Sequence, residues 1–238
     1  MAFVMLKVPL LVIQVYYTRI ATKAPTPPPT LAERKPYTKL PELFPGHLTA
    51  KHFRYPFYVF TAAEISAILL SVTAPSFPSI TRLLPAGSTV LNAHDIYLSK
   101  AYVAGLLFLC AGGYIRGTCY RHLGHLFTYH LSVKKDHRLV TDGPYVFVRH
   151  SSYTGICLFF FGVCYCQLGP GSWLTANGVW DTVPGRIVVA LYIFYSVASC
   201  IFLVSRVTAE DAVMKQQFGQ EWEDWAKRTP YRLVPYVY

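Results

Sequence analysis

Two stretches of the chain carry residues that could do chemistry. The first runs from His137 to Tyr153 and reads HRLVTDGPYVFVRHSSY. Gly143-Pro144 marks a turn and frees the backbone of Thr141, Asp142 and Gly143. Irregular backbone at membrane depth is tolerated only where it lines a cavity. Tyr145, Phe147 and Tyr153 offer aromatic faces to a purine or a cation, and Arg149 and His150 follow the turn. On composition alone the same residues read as a membrane interface, with aromatic anchors and snorkelling charges.

The second stretch, SRVTAEDAVMKQQFGQEW from Ser205, gives the first a partner. Arg206 and Glu210 are four residues apart, so on a helix both project from one face. They could form an exposed ion pair worth about 0.3–0.5 kcal/mol. They could instead present a guanidinium fork to a carboxylate at the membrane surface, with Glu210 beside it for a cofactor group. Phe218, Trp222 and Trp225 recur at helical spacing. That pattern predicts an amphipathic tail helix with its aromatics at the interface.

The elements that must position these residues are apolar spans. The chain has 238 residues, 53% hydrophobic and 14% charged; the charged fraction of soluble domains is about 25%. Crossing a bilayer takes about 20 mostly apolar residues. Five runs qualify: about 2–18, 57–74, 97–115, 153–168 and 187–205. The fold class read here is an all-α integral membrane protein of about five transmembrane helices. Its cytosolic pocket would lie between the polar insert and the amphipathic tail. Residues 1–94 form N-terminal spans with a Pro-rich basic linker, and 95–238 a catalytic core.

The net charge of +10 follows loop parity. Lys and Arg crowd the segments after the first, third and fifth spans and are sparse after the second and fourth. The positive-inside rule then places the rich loops and the C-terminus in the cytosol and the N-terminus in the lumen. This accounts for the charge without a nucleic-acid partner. The first run could be a signal peptide, but no clean cleavage site follows, and a retained span keeps the charge parity. Glu64 falls in mid-membrane, where an ionisable residue is either functional or hydrogen-bonded to a neighbouring helix. Gly105, Gly112 and Gly113 suit close helix packing. The six Cys lie mostly in spans and lack zinc spacing. His122 and His125, three apart, read as polar interface residues. No metal site is expected.

The two motifs together resemble the isoprenylcysteine carboxyl methyltransferase family. HRLVTDGPYVFVRHSSYTG is similar to its central signature, and RVTAEDAVMKQQFGQEWEDWAKRTPYRLVP to its C-terminal one. The likeness covers about 95–238, and the first ninety residues match only as spans. It implies a multi-pass enzyme of the endoplasmic reticulum membrane with a cytosolic catalytic face. Such an enzyme methylates the C-terminal carboxylate of a prenylated cysteine, on small GTPase or pheromone-type substrates, using S-adenosyl-L-methionine. By position, the resemblance assigns cofactor binding to His137, Arg138, Leu139, Val140, Tyr145, His150, Ser151, Ser152, Tyr153 and Glu210. It assigns the substrate carboxylate and catalysis to Arg206. Where the family usually has Pro after the Arg-His pair, this chain has Ser151, which would leave the turn less rigid. Two alternatives stay open: a phospholipid (phosphatidylethanolamine-type) N-methyltransferase, and a non-catalytic membrane scaffold of the same fold.

Overall fold

In the computed structural model, residues 2–27, 46–73, 93–128 and 138–238 are described, and these contain helices and turns but no strand. Six helices carry the fold: α1 (Lys7–Thr22), α2 (Gly46–Thr73), α3 (Lys100–Leu123), α4 (Ser151–Leu168), α5 (Val183–Phe218) and α6 (Gln220–Arg228). The Pro-rich linker beyond residue 27, the connection over 74–92 and His137 lie outside the described residues.

The expected all-helical membrane architecture is what the chain adopts. Among the described residues, four helices are long and apolar enough to cross a bilayer, those containing Phe53–Thr73, Lys100–Leu126, Ser151–Ala176 and Val183–Phe218. The fifth expected span is α1, which is helical but only 16 residues long, about 24 Å of rise against a hydrocarbon core of about 30 Å. A further helical turn, Ala2–Met5, precedes it. α5 departs from expectation in the other direction. Its 36 residues reach about 54 Å, so helix continues beyond the apolar run. Residues 205–218 contain neither Pro nor Gly and are rich in good helix formers. The break comes only at Gly219, whose φ of 54° suits glycine.

α3 and α4 pack with backbones nearly touching. A Cβ placed on Gly112 would lie 2.4 Å from the Gly155 carbonyl oxygen, and one on Gly162 would lie 2.3 Å from the Leu109 nitrogen. Gly105 faces the Gly162 turn in the same way. Small residues seven apart on each antiparallel helix therefore replace side-chain layers with backbone contact. Around this pair, Phe53, Phe57, Phe159, Phe160 and Val163 form one apolar cluster. Leu11, Ile68, Tyr102 and Leu106 form another towards the opposite end.

That opposite end is pinned by charge. Lys7 and Glu64 are 0% and 1% exposed and form an ion pair of 2.5 Å. The Lys7 ammonium also donates to the Gly171 carbonyl at 2.8 Å and sits 4.4 Å from the centre of the Tyr102 ring. A lone charge in the membrane interior is costly, and each partner offsets part of that cost for the other. Glu64 is thus a helix-packing residue, remote from the site described next.

Candidate functional site

At the other end, the polar insert, the α4 N-terminus and the end of α5 enclose a cavity of about 210 Å³. Its polar wall starts from the insert. After Asp142 the chain makes a 3₁₀ turn, Gly143–Val146, with Pro144 near its start. The positive φ of Gly143 and the packing of the His122 ring, 2.4 Å from where a Cβ would stand, leave room only for glycine there. His122 Nδ1 lies 2.9 Å from Asp142 Oδ2. That hydrogen bond is the main cause holding the Asp142 carboxyl below its ordinary pKa. No carboxylate neighbour of His122 was visible in the sequence because Asp142 is 20 residues away along the chain. Tyr145 is buried beneath the turn, and its desolvation pushes the phenol pKa well up.

Ser151 opens α4. Its hydroxyl lies 2.7 Å from the Pro144 carbonyl and 2.9 Å from that of Val148. The looser turn expected from Ser in place of Pro is therefore not what forms: the side chain ties the turn to the helix start. Ser151 itself does not line the cavity. The cavity wall includes Arg138, Leu139, Val140, Tyr145, His150, Ser152, Tyr153, Arg206 and Glu210. Of the eleven residues that the resemblance assigns to the site, these nine are brought together.

Tyr153 of the first motif meets two residues of the second. The Tyr153 hydroxyl donates to Glu210 Oε2 at 2.5 Å. The Arg206 guanidinium lies 5.7 Å from the centre of the Tyr153 ring and 5.9 Å from that of Phe202. His150 stacks on Tyr153 at 5.6 Å between ring centres. Arg206 and Glu210 thus face one cavity from one helix, as their spacing predicts. The tail aromatics differ from expectation. Trp225 is 5% exposed and packs with Val140 and Tyr145, and its indole N–H donates to the Tyr145 carbonyl at 3.3 Å. Trp222 also lines the cavity. These rings wall the pocket where α6, after the turn at Gly219, packs on the insert.

Several wall residues carried no signal in the sequence. Arg116, 3% exposed on α3, donates to the Ala21 carbonyl at 2.7 Å and to the Ser152 carbonyl and hydroxyl at 3.1 and 3.0 Å. It ties the end of α1 and the start of α4 together beneath the cavity. Ala21, Thr22 and Phe53 bring the N-terminal spans into the wall. Asp211 is 6% exposed and bonds to Arg149 at 3.2 Å, to His150 at 3.0 Å and to Arg232 at 3.4 Å. The apolar arm of the cavity, with Phe53, Ile156, Phe160, Tyr195, Phe202 and Leu203, runs between α2, α4 and α5.

Fold and site together define a helical membrane protein with a charged, aromatic pocket at one face and an apolar arm running into the helix bundle. Comparison with known proteins narrows the class. Residues 104–176 match the family model described as "Isoprenylcysteine carboxyl methyltransferase (ICMT) family". The chain is 29% identical over 158 residues to protein-S-isoprenylcysteine O-methyltransferase of Schizosaccharomyces pombe, an alignment covering 65% of this chain and 57% of that protein. It is 27% identical over 135 residues to protein-S-isoprenylcysteine O-methyltransferase B of Arabidopsis thaliana, covering 56% and 58%. The resemblance read from the two motifs is borne out. A further similarity, 25% over 167 residues, is to a delta(14)-sterol reductase of Septoria lycopersici, covering 62% of this chain and 32% of that one. The matched region spans a little over half the length of the two methyltransferases.

Proposed function

We propose that this chain is a membrane carboxyl methyltransferase that esterifies the C-terminal carboxylate of a prenylated cysteine with the methyl group of S-adenosyl-L-methionine. The observation that carries the proposal is the joining of the two motifs in one cavity, with Glu210 on the Tyr153 hydroxyl and Arg206 over the Tyr153 ring. The endoplasmic reticulum membrane, a cytosol-facing site, and small GTPase or pheromone-type substrates are part of the same proposal.

The residues present fit the cofactor. Glu210 and the rings of Tyr153, Trp222 and Trp225 line the cavity, and carboxylates and aromatic faces attract a sulfonium. His150, Tyr153 and the Arg138–Val140 backbone supply stacking and polar contacts for the adenosine. His137, on the same segment, and Ser151, through the turn it secures, complete that assignment. When bound, the donor supplies a methyl group already activated by positive sulfur.

The acceptor carboxylate is ionised at neutral pH, its reference pKa being about 3.5, so no side chain need act as a base. Arg206 holds the carboxylate in a bidentate grip. With both bound, a carboxylate oxygen held by Arg206 would take the methyl group as the carbon–sulfur bond breaks, giving a methyl ester and a neutral thioether. The task of the protein is alignment at near-attack distance and exclusion of water from a weak nucleophile. The apolar arm takes the prenyl chain.

An amine-methylating enzyme would need a base and an anionic pocket. Here Arg116, Arg138, Arg149 and Arg206 share the cavity wall with two carboxylates, Glu210 and Asp211. The comparisons lend the phospholipid alternative no support. The test is methyl transfer by the purified protein to a farnesylcysteine analogue, set against phosphatidylethanolamine. Ester formation on the first alone supports the proposal. Transfer to the lipid amine, or failure to bind the donor at all, overturns it.

A further inference from the structure

We infer that Asp211 is a positioning residue, which sets the orientation of the His150 ring in the donor pocket and locks the tail segment 229–233 over it. This rests on the donor reading proposed above.

The carboxylate is buried and is met by three side chains from two separate parts of the chain, the insert and the tail. Oδ1 takes His150 Nε2 at 3.0 Å. Oδ2 takes Arg149 Nη2 at 3.2 Å and faces Arg232 Nε at 3.4 Å. The same Arg149 guanidinium donates to the Thr229 and Pro230 carbonyls at 2.8 and 2.9 Å. Backbone bonds run in parallel, from Arg149 N to Tyr231 O at 3.0 Å and from His150 N to Arg232 O at 2.8 Å. The Thr154 hydroxyl donates to the Leu233 carbonyl at 2.6 Å. Insert, α5 and tail therefore meet on one side chain.

The geometry decides the histidine. An ionised carboxylate accepts only, so Nε2 carries a proton whatever the state of Nδ1. With its edge held, the ring stays stacked on Tyr153 at an interplanar angle of 19°, and the Tyr153 hydroxyl stays on Glu210. Asp211 thus acts on the pocket through His150, one residue along the helix from the carboxylate assigned to the donor. An amide at 211 could not accept from both His150 and Arg149 in this way. Its N–H would meet a second donor and allow the ring to change tautomer or turn.

The test is a double-mutant cycle on detergent-purified full chain, reading the Kd of S-adenosylmethionine by calorimetry. Asp211→Asn is expected to raise Kd about tenfold, the scale of one charged hydrogen bond. In a His150→Ala background the same substitution is expected to change Kd less than twofold, because the ring it orients is gone. Asp211→Glu, which keeps the charge, should recover most of the binding. A Kd for Asp211→Asn within twofold of wild type overturns the inference, as does an undiminished effect in the His150→Ala background. If Asp211→Asn does not yield a monodisperse protein, the cycle is run with Asp211→Glu, where a threefold rise that vanishes without His150 is expected and an additive one refutes it. Absence of binding by the wild-type chain is a separate outcome, which removes the donor reading itself.

Discussion

Glu210→Ala is the substitution whose effect the structure fixes most closely. Glu210 accepts the Tyr153 hydroxyl on the wall of the cavity; that bond is already made in the free protein and holds the carboxylate in place, so the loss in donor affinity comes from the missing charge. If a sulfonium sits about 5 Å from the carboxylate, Coulomb attraction at an effective dielectric near 20 gives about 3 kcal/mol. Part of that is offset by desolvating both charges on binding. The net loss in donor affinity is expected to be about 1.5–3 kcal/mol, a rise in Kd of about 10- to 100-fold. Calorimetry with S-adenosylmethionine on detergent-purified protein reads it directly. Tyr153→Phe, which keeps the carboxylate charge, should fall well short of that rise. An unchanged Kd for Glu210→Ala would remove Glu210 from the donor pocket and with it the pairing of the two motifs as one site.

Arg206→Ala should lower kcat/KM for a farnesylcysteine analogue about 100-fold while leaving donor affinity largely intact; loss of donor binding with retained acceptor binding would reverse the two roles. Glu64→Ala leaves Lys7 as an uncompensated buried charge and should cost about 3–5 kcal/mol, seen as a large drop in thermal midpoint in detergent. The paired change Lys7→Met with Glu64→Met should be far milder, and equal losses from both would show that the ion pair is not what the single substitution breaks. Gly162→Ala places a Cβ against the Leu109 backbone and should destabilise by about 1–3 kcal/mol. Gly117→Ala, whose Cβ would meet only the Ile20 side chain at 3.2 Å, serves as the comparison.

The pattern of apolar runs and the two motifs made the bundle and half of the pocket legible, because both are local in the chain. Arg206 and Glu210 share a helical face by spacing alone, and the insert announces itself by its turn. What stayed hidden depends on contacts between distant residues. Asp211 reads as an ordinary charge next to Glu210 until folding brings Arg149, His150 and Arg232 to it. Arg116 falls just past the third apolar run, where it reads as one more basic loop residue, with nothing nearby in sequence to suggest the Ala21 and Ser152 carbonyls it holds. The glycines of α4, Gly155 and Gly162, acquire meaning only when set against Gly112 and Leu109. Trp222 and Trp225 have interfacial periodicity whichever way the helix turns, and only the packing of α6 on the insert shows that they face the protein.

The uninterrupted run of α5 past Arg206 has a consequence for how the two reactants are spaced. Arg206 and Glu210 stand on one continuous helix, separated by about 6 Å of axial rise, so under the roles proposed for them the separation between acid group and methyl donor would be measured by a helical ruler and not by a loop. Inserting a single alanine between them would swing Glu210 about 100° around the axis, leaving every residue of the pocket present and the gauge between them wrong.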